Sequence, residues 1–462
     1  MKIKTNSIRL LSDLTTPVSL FLKLREHFPE ILLLESSDYS SKEDSQSFIC
    51  FDPISTLQFK NSEYHIHHHS TNEIVHLKNK KAVEAIDIML SLYEVETDAI
   101  SQKYMGIFGF TGFEMVQEFE GVQFNDSKPT DDIPGLRYDL FRYVIVFDHF
   151  YEVLYVIENQ LEGAQKNIED IINIISRQDH QSFSFRQDGP EHANMTGDQY
   201  LDMVKKAKNN CQRGDVFQMV VSRKYSQGFK GDEFNLYRAL RSVNPSPYLF
   251  YFDYSSFKIF GSSPEAQVIV VDGLAEIHPI AGTFKRTGNY DEDQALAKKL
   301  SADPKENAEH IMLVDLARND LSKSATNVKV AKYKEVQFFS HVIHLVSKVT
   351  GTVKKGISSY QIFADTFPAG TLSGAPKYRA LELLDEYEPT SRTFYGGGLG
   401  LIKLNGDLNH AIIIRSFLSI GGQLHYQAGA GVVIDSVPES ELEEVTNKLA
   451  ALKKALILAE DL

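Results

Sequence analysis

Four glutamates raise the first chemical question. Glu306 and Glu309 lie three residues apart in the run DPKENAEHIMLVDLARND (303–320), and Glu441 and Glu444 repeat that spacing near the C-terminus. Residues three apart on a helix share a face. Two helices that each present a carboxylate pair can hold one hard cation and leave positions open for substrate oxygens, as Mg²⁺ sites commonly do. A lone pair of this kind is more often a helix cap and a surface ion pair. Its neighbours in the chain decide which reading holds.

Five further stretches carry groups of the right kind. In Pro279-Ile280-Ala281-Gly282-Thr283, Gly282 lets backbone approach a ligand and Thr283 offers a hydroxyl. The run HVIHLVS (341–347) places His344 in a strand-like apolar stretch. PAGTLSGAPK (368–377) is a small-residue loop that leads Lys377 into a helix. Tyr395 precedes three glycines, and Arg415 supplies a guanidinium suited to bidentate carboxylate binding. Gly429-Ala430-Gly431 bares backbone N–H groups before the last helix. Taken singly, each is weak. Glycine loops are mostly turns, a lone histidine is mostly core, and no GxxxxGK[ST] phosphate loop accompanies Lys377.

The elements that must position these groups are partly readable. Asp303 can cap, Pro304 suits the first helical position, and Glu306 sits where a capping-box carboxylate reaches back. The following apolar residues, Ala308, Ile311, Met312, Leu313, Val314, Leu316 and Ala317, surround the helix and predict that it is buried. The spacing of Leu442, Val445, Leu449, Leu452 and Leu456 predicts a closing helix over 438–458. Helices are also expected at 81–93, 160–175 and 196–212, and strands at 106–110, 142–157 and 216–222. The polar stretch 176–195 reads as a linker. YHIHHHS (64–70) reads as a solvated strand or hairpin, since no carboxylate or thiol cluster accompanies its histidines.

Composition narrows the classes. The chain has 462 residues, a net charge of −14 and two cysteines, Cys50 and Cys211. The charge argues against a general nucleic-acid or anionic-membrane binder. Two cysteines make no disulfide framework, and no leader or membrane-crossing tract is read, so a cytoplasmic setting is expected.

Together and in this order, KENAEHIMLVDLARND, PIAGT, HVIHLVS, FPAGTLSGAPK and AGAGVV resemble the chorismate-utilising enzymes. LLLESS (32–37) and GIFGF (106–110) extend the likeness to the N-terminal half. The resemblance implies an α+β fold of large antiparallel sheets wrapped by helices, with interlocked halves in which residues 1–60 and 245–250 meet. It implies a first domain at 1–160, a helix and linker at 161–195, and a catalytic domain at 196–462. It also implies Mg²⁺-dependent amination of chorismate at C2, loss of the C4 hydroxyl, then elimination of pyruvate. On that template Glu309 and Glu444 bind the metal, with Glu306 and Glu441 beside them or bound through water. The metal holds the ring carboxylate. Gly282, Thr283, Tyr395, Arg415, Gly429, Ala430 and Gly431 line chorismate, with Arg415 on the other carboxylate. Glu265 protonates the departing hydroxyl, His344 assists pyruvate elimination, and Lys377 adds positive potential.

Two positions separate the sister activities. Water-adding relatives carry a lysine base where this chain has Gln218. Aminodeoxychorismate-forming relatives carry a nucleophilic lysine where it has Ala281. Both differences point to the anthranilate-forming branch. The rivals are an aminodeoxychorismate-forming enzyme and a non-catalytic subunit that binds an aromatic amino acid. Neither cysteine sits in a Gly-x-Cys-x-Gly elbow, so the resemblance implies a glutamine amidotransferase partner that supplies ammonia, and hence a hetero-oligomer. It implies a tryptophan feedback pocket at Glu35, Ser36, Pro247, Tyr248 and Leu249. The absence of tryptophan from the chain suits an enzyme made when that amino acid is scarce. The chain departs from the family pattern at Lys285-Arg286-Thr287-Gly288 and at 322–327 (SKSATN). Neither departure removes a group the chemistry needs.

Overall fold

Long runs of β-branched and aromatic residues build one continuous, mostly antiparallel sheet. A computed structural model describes the chain apart from residues 37–44, 164–166, 178–180, 182 and 339–341 and the side chains of Thr283 and Lys305. The strand Gln46–Lys60 lies at a branch of the sheet. It pairs with Ile31–Glu35 and Glu63–His68 along one edge and with Leu136–Asp148 along the other. Leu136–Asp148 is buried at every position but Arg142, as expected of a strand covered on both faces.

The halves interlock through strand pairing. Ile31–Glu35 pairs with Tyr248–Asp253, placing Leu249 opposite Glu35. Gly106–Thr111 pairs with Gly398–Lys403, placing Gly109 opposite Gly400. Glycine is required there, because a Cβ on Gly109 would lie 1.9 Å from the carbonyl oxygen of Arg137. The cores interlock as well. One unites Leu33 and Ile145 with Val204, Val445, Leu449 and Leu452, and another unites Ile107 and Tyr138 with Val314 and Leu381.

The C-terminal elements carry most of the chemical groups. Gln218–Gly231 pairs with Gln423–Val432 and, at its start, with Gly374–Ala375. Ile280–Lys285 pairs with Val342–Val353, placing Thr283 opposite His344. The helix Gly197–Arg213 opens on a capping box of Thr196 and Gln199 and ends at Gly214. The closing helix spans Pro438–Leu458, with Val445, Leu449, Leu452 and Leu456 buried, as the spacing predicts.

Three expectations need correction. The stretch 176–195 is not simply a linker, because Phe185–Ala193 forms a strand on Gln218–Gly231. Its polarity reflects exposure of most of its side chains. The helix expected from 160 begins only at Ile168, because the strand Val153–Leu161 extends past Gln160. The helix Pro304–Ser324 is not buried all round. Leu313, Val314, Ala317 and Leu321 cover the sheet, while Ile311 on another face is 45 % exposed. Among the described residues no helix is long and apolar enough to cross a membrane.

Candidate active site

The Pro304–Ser324 helix is held at several points, and its anchors orient the first glutamate pair. Asp303 caps it, its Oδ1 accepting the Glu306 N–H at 3.1 Å. The buried ring of His310 meets the Ser347 hydroxyl at 2.6 Å, which ties the helix to the strand Val342–Val353. Further along, Lys377 Nζ donates to Asp320 at 2.8 Å. That bond fixes Lys377 to the end of the helix and pairs its charge there, so it acts as a buried tie rather than a free source of potential.

Gly282 lies against the first turn of this helix. Its φ of +68° is left-handed, and a Cβ there would meet Leu300 at 2.6 Å and Glu306 Oε2 at 3.0 Å. Its carbonyl accepts from His344 Nδ1 at 2.8 Å. A carbonyl only accepts, so Nδ1 carries the ring proton and the neutral ring presents a lone pair on Nε2. Burial lowers the His344 pKa, and the Arg415 charge adds to the effect. The strand partner Thr283 is placed by its backbone alone, because its side chain lies outside the described residues, as does His341.

Glu265 lies between the strands Phe257–Ser263 and Ala266–Val271. Burial pushes its carboxyl up to about 7, against the Thr371 hydrogen bond and the charges of Lys448 and Arg415. Thr371 Oγ1 donates to Glu265 Oε1 at 3.2 Å. Arg415 sits at a left-handed bend, φ +52°, just before the strand Ser416–Ile420. Burial lowers its pKa, against the attraction of Tyr395, Glu444 and Glu265. Among the described residues its guanidinium has no hydrogen-bond or ion-pair partner. A partly buried guanidinium in that state is prepared for an incoming carboxylate.

Tyr395 and the glycine run close the opposite side. Burial pushes the phenol up to about 12, while Arg392, Arg415 and the Gly429 N–H favour the ionised form. The Gly429 carbonyl accepts from Lys448 at 2.8 Å, and Lys448 also pairs with Glu444 at 2.6 Å. Gly431 lies against Gln218, where a Cβ would meet Nε2 at 2.4 Å, and Ala430 between the two glycines is fully buried. Gln218 Nε2 lies 3.4 Å from Glu309 Oε1, which links the helix Pro304–Ser324 to the strand Gln218–Gly231. Gln218 Oε1 is buried with no hydrogen-bond partner among the described residues.

The metal reading can be tested on the donors. All four glutamates offer oxygen alone, the donor set for a hard cation. Glu441 is buried, and Glu309 and Glu444 already hold an amide and an ammonium that a cation can replace. Among the described residues no three ligating side chains have converged. Oxygen donors of this type suit a hard cation such as Mg²⁺, which Glu309 and Glu444, with Glu306 and Glu441 beside them, could hold.

Sequence reasoning missed three groups. Lys448, four residues after Glu444, was visible as a helical partner. Thr371 lies in the small-residue loop 368–377, where nothing local distinguishes its hydroxyl. Arg392 could not be placed at the site, since apart from Glu388, four residues away, its contacts are remote in sequence. It binds Glu388 and the carbonyls of Leu372 and Val220, and its guanidinium lies 5.7 Å from the Tyr395 ring centroid.

The five residues of the expected regulatory pocket lie around one strand junction. Glu35 is held by Tyr237 at 2.6 Å and Arg241 at 3.0 Å. The Ser36 N–H donates to the Gln46 carbonyl, and Leu249 follows Pro247 and Tyr248 into the strand opposite Glu35. Tyr248 pairs with Ser263, two residues before Glu265. Of the two departures, Lys285–Gly288 is tied down by Arg286 on Asp293 at 2.8 Å. Residues 322–327 form the junction between the Pro304–Ser324 helix and the strand Ala325–Phe338.

Comparison with known proteins agrees with this geometry. The pattern of the chorismate binding enzyme family matches residues 34–454, and the chain belongs to that family. It is 36 % identical over 470 residues to anthranilate synthase component 1 of Aquifex aeolicus, covering 98 % of this chain and 94 % of that one. The same protein of Bacillus subtilis is 36 % identical over 480 residues, covering 97 % and 91 %. The crystal structure of anthranilate synthase component I from Streptococcus pneumoniae matches with a TM-score of 0.75 at 28 % identity, covering 97 % of this chain and all of that one. The menaquinone-specific isochorismate synthase of Escherichia coli, with a TM-score of 0.75 at 17 % identity over 98 % and 94 %, shares the fold.

Proposed function

We propose that the chain aminates chorismate with ammonia and eliminates pyruvate to give anthranilate, the first committed step toward tryptophan. The observation that carries this is the presence in one site of two groups: the partly buried Arg415 guanidinium, which has no hydrogen-bond or ion-pair partner among the described residues, and Glu265, a carboxyl held near neutrality by burial. A dicarboxylate with a departing hydroxyl needs both. Near-full-length likeness to anthranilate synthase component 1 supports the same reading.

Arg415 binds the side-chain carboxylate of chorismate, and Gly429–Gly431 and Tyr395 pack along it. Glu309 and Glu444, with Glu306 and Glu441 beside them, would hold Mg²⁺, whose charge would balance the ring carboxylate. Glu265 protonates the C4 hydroxyl, which leaves as water when its C–O bond breaks. Gln218 offers an amide where a lysine would activate water, so ammonia is the nucleophile at C2. The partnerless Gln218 Oε1 suits an N–H donor. His344 Nε2 then takes the C2 proton as the bond to the pyruvyl oxygen breaks, and the ring becomes aromatic. Ala281, a small buried side chain, leaves no lysine to attack the ring as an aminodeoxychorismate-forming relative does.

Ammonia comes from a separate glutamine-hydrolysing subunit. Both thiols of this chain are buried, and burial raises their pKa, the reverse of what a glutaminase nucleophile needs. Free buried cysteines also suit a cytoplasmic protein. Tryptophan binds at Glu35, Ser36, Pro247, Tyr248 and Leu249. Its effect reaches Glu265 through the paired strands Tyr248–Asp253 and Phe257–Ser263. The test is conversion of chorismate, ammonium and Mg²⁺ by the purified chain, followed as anthranilate fluorescence with and without tryptophan. Formation of a non-aromatic amine instead would move the chain to the aminodeoxychorismate branch.

A further inference from the structure

A cavity of about 40 Å³ lies behind Glu265, lined by Glu265, Gln267, Thr371, Asp320, Leu316 and Ala317 among others. It has room for about three waters, at about 10–15 Å³ each. Of the residues placed around chorismate, only Glu265 also lines it. Gln267 is 2 % exposed, and its Nε2 donates to the Thr366 carbonyl at 2.9 Å. That bond leaves Oε1 as the acceptor end, and Oε1 is buried without a partner among the described residues. Asp320 stands in the same lining, held by Lys377 at 2.8 Å and lying 3.9 Å from Lys323, whose side chain is 43 % exposed. A cavity lined only by apolar groups stays dry. This one offers an amide oxygen, a hydroxyl and two carboxyls, enough for the two to four partners a buried water needs.

We propose that the cavity is a water site serving the reaction, and that its water, oriented by Gln267 and Asp320, returns to Glu265 the proton given to the departing hydroxyl. The inference rests on the chorismate-aminating reading of the site. The proton count closes. The Glu265 carboxyl O–H bond breaks and a new O–H bond forms on the C4 hydroxyl oxygen as the C–O bond breaks with its electron pair on that oxygen, and water leaves. The nitrogen added at C2 sheds one proton to solvent. The cavity water breaks one O–H bond to reprotonate the Glu265 carboxylate and forms a new one with a proton taken up from solvent past Asp320 and Lys323, equal to the one the nitrogen shed. Gln267 is thus a positioning residue, and it acts from outside the substrate pocket.

Two variants of the full chain test this by different routes. Ala317→Val fills the cavity and leaves every polar partner in place, and Gln267→Leu removes the unpartnered acceptor. With chorismate, ammonium and Mg²⁺, each is expected to lower kcat about tenfold, a fraction of a general acid's usual contribution. KM for chorismate should stay within about twofold, and the solvent deuterium isotope effect on kcat should rise, because reprotonation becomes limiting. Wild-type kcat and isotope effect in both variants would overturn the proposal while leaving the function intact. A fall in kcat matched by a rise in KM and a lower Tm would overturn it as general loosening. A wild-type chain that makes no anthranilate would remove the function and the relay together. One check needs no variant: a high-resolution crystal structure of the wild type should show ordered water touching Gln267 Oε1, and a dry cavity would overturn the proposal.

Discussion

Glu265 and His344 divide the proton work because burial acts on them in opposite senses. It raises the carboxyl to about 7 and lowers the imidazole, so near neutrality one group holds a proton to give and the other a lone pair to receive. Only the protonated form of Glu265 can act as an acid. The free chain's kcat/KM, corrected for the fraction of ammonium present as ammonia, is therefore expected to fall as pH rises through about 7. Glu265→Gln should abolish that limb, and a limb that persists in this variant would assign it to another group. His344→Ala should lower anthranilate output by about 100-fold or more and let the amino intermediate accumulate, which chromatography of the quenched reaction would detect. Normal output with no intermediate would reject the assigned base. Glu309→Gln and Glu444→Gln each remove charge from the metal site and should cost at least about 100-fold in turnover, with weaker Mg²⁺ binding by calorimetry. Full activity in both would sink the metal assignment.

Two helices and two paired strands turn these residues into a site. The helix Pro304–Ser324 is fixed by its Asp303 cap, by His310 on Ser347 and by Asp320 on Lys377. Asp303→Ala should destabilise the helix start by about 1 kcal/mol and weaken Mg²⁺ binding through fraying of the turn that carries Glu306 and Glu309. Thermal unfolding and metal titration of the variant would show both changes, and unaltered Mg²⁺ affinity would mean the glutamates are held by other contacts. The glutamate spacing, the Asp303 cap and the closing helix were legible because they are local: each depends on residues within a turn or two. Lys377's partner is 57 residues away, so the sequence displayed a lysine but not its neutralisation. The strand Phe185–Ala193 was illegible for another reason. Most of its residues face solvent, so it lacks the alternation that marks a half-buried strand.

At the scale of the whole molecule, the interlocking of the halves is the main structural fact. Ile31–Glu35 and Gly106–Thr111 each pair with a strand from beyond residue 196, and both large cores draw on both halves. Residues 196–462 made alone would bare the strand edges at 248–253 and 398–403 together with half of each core. That fragment is expected to lack cooperative unfolding in urea, whereas the full chain should show it. A sharp transition in the isolated fragment would mean the halves are separate domains. The central claim is the reaction itself, and the composition makes it easy to read, since a chain without tryptophan contributes little background fluorescence. The direct measurement is fluorescence on mixing the purified chain with chorismate, ammonium and Mg²⁺. The account predicts anthranilate emission that requires Mg²⁺, appears with equimolar pyruvate and declines on adding tryptophan. Chorismate left unconsumed, or consumed to a non-aromatic amine without pyruvate, would contradict it.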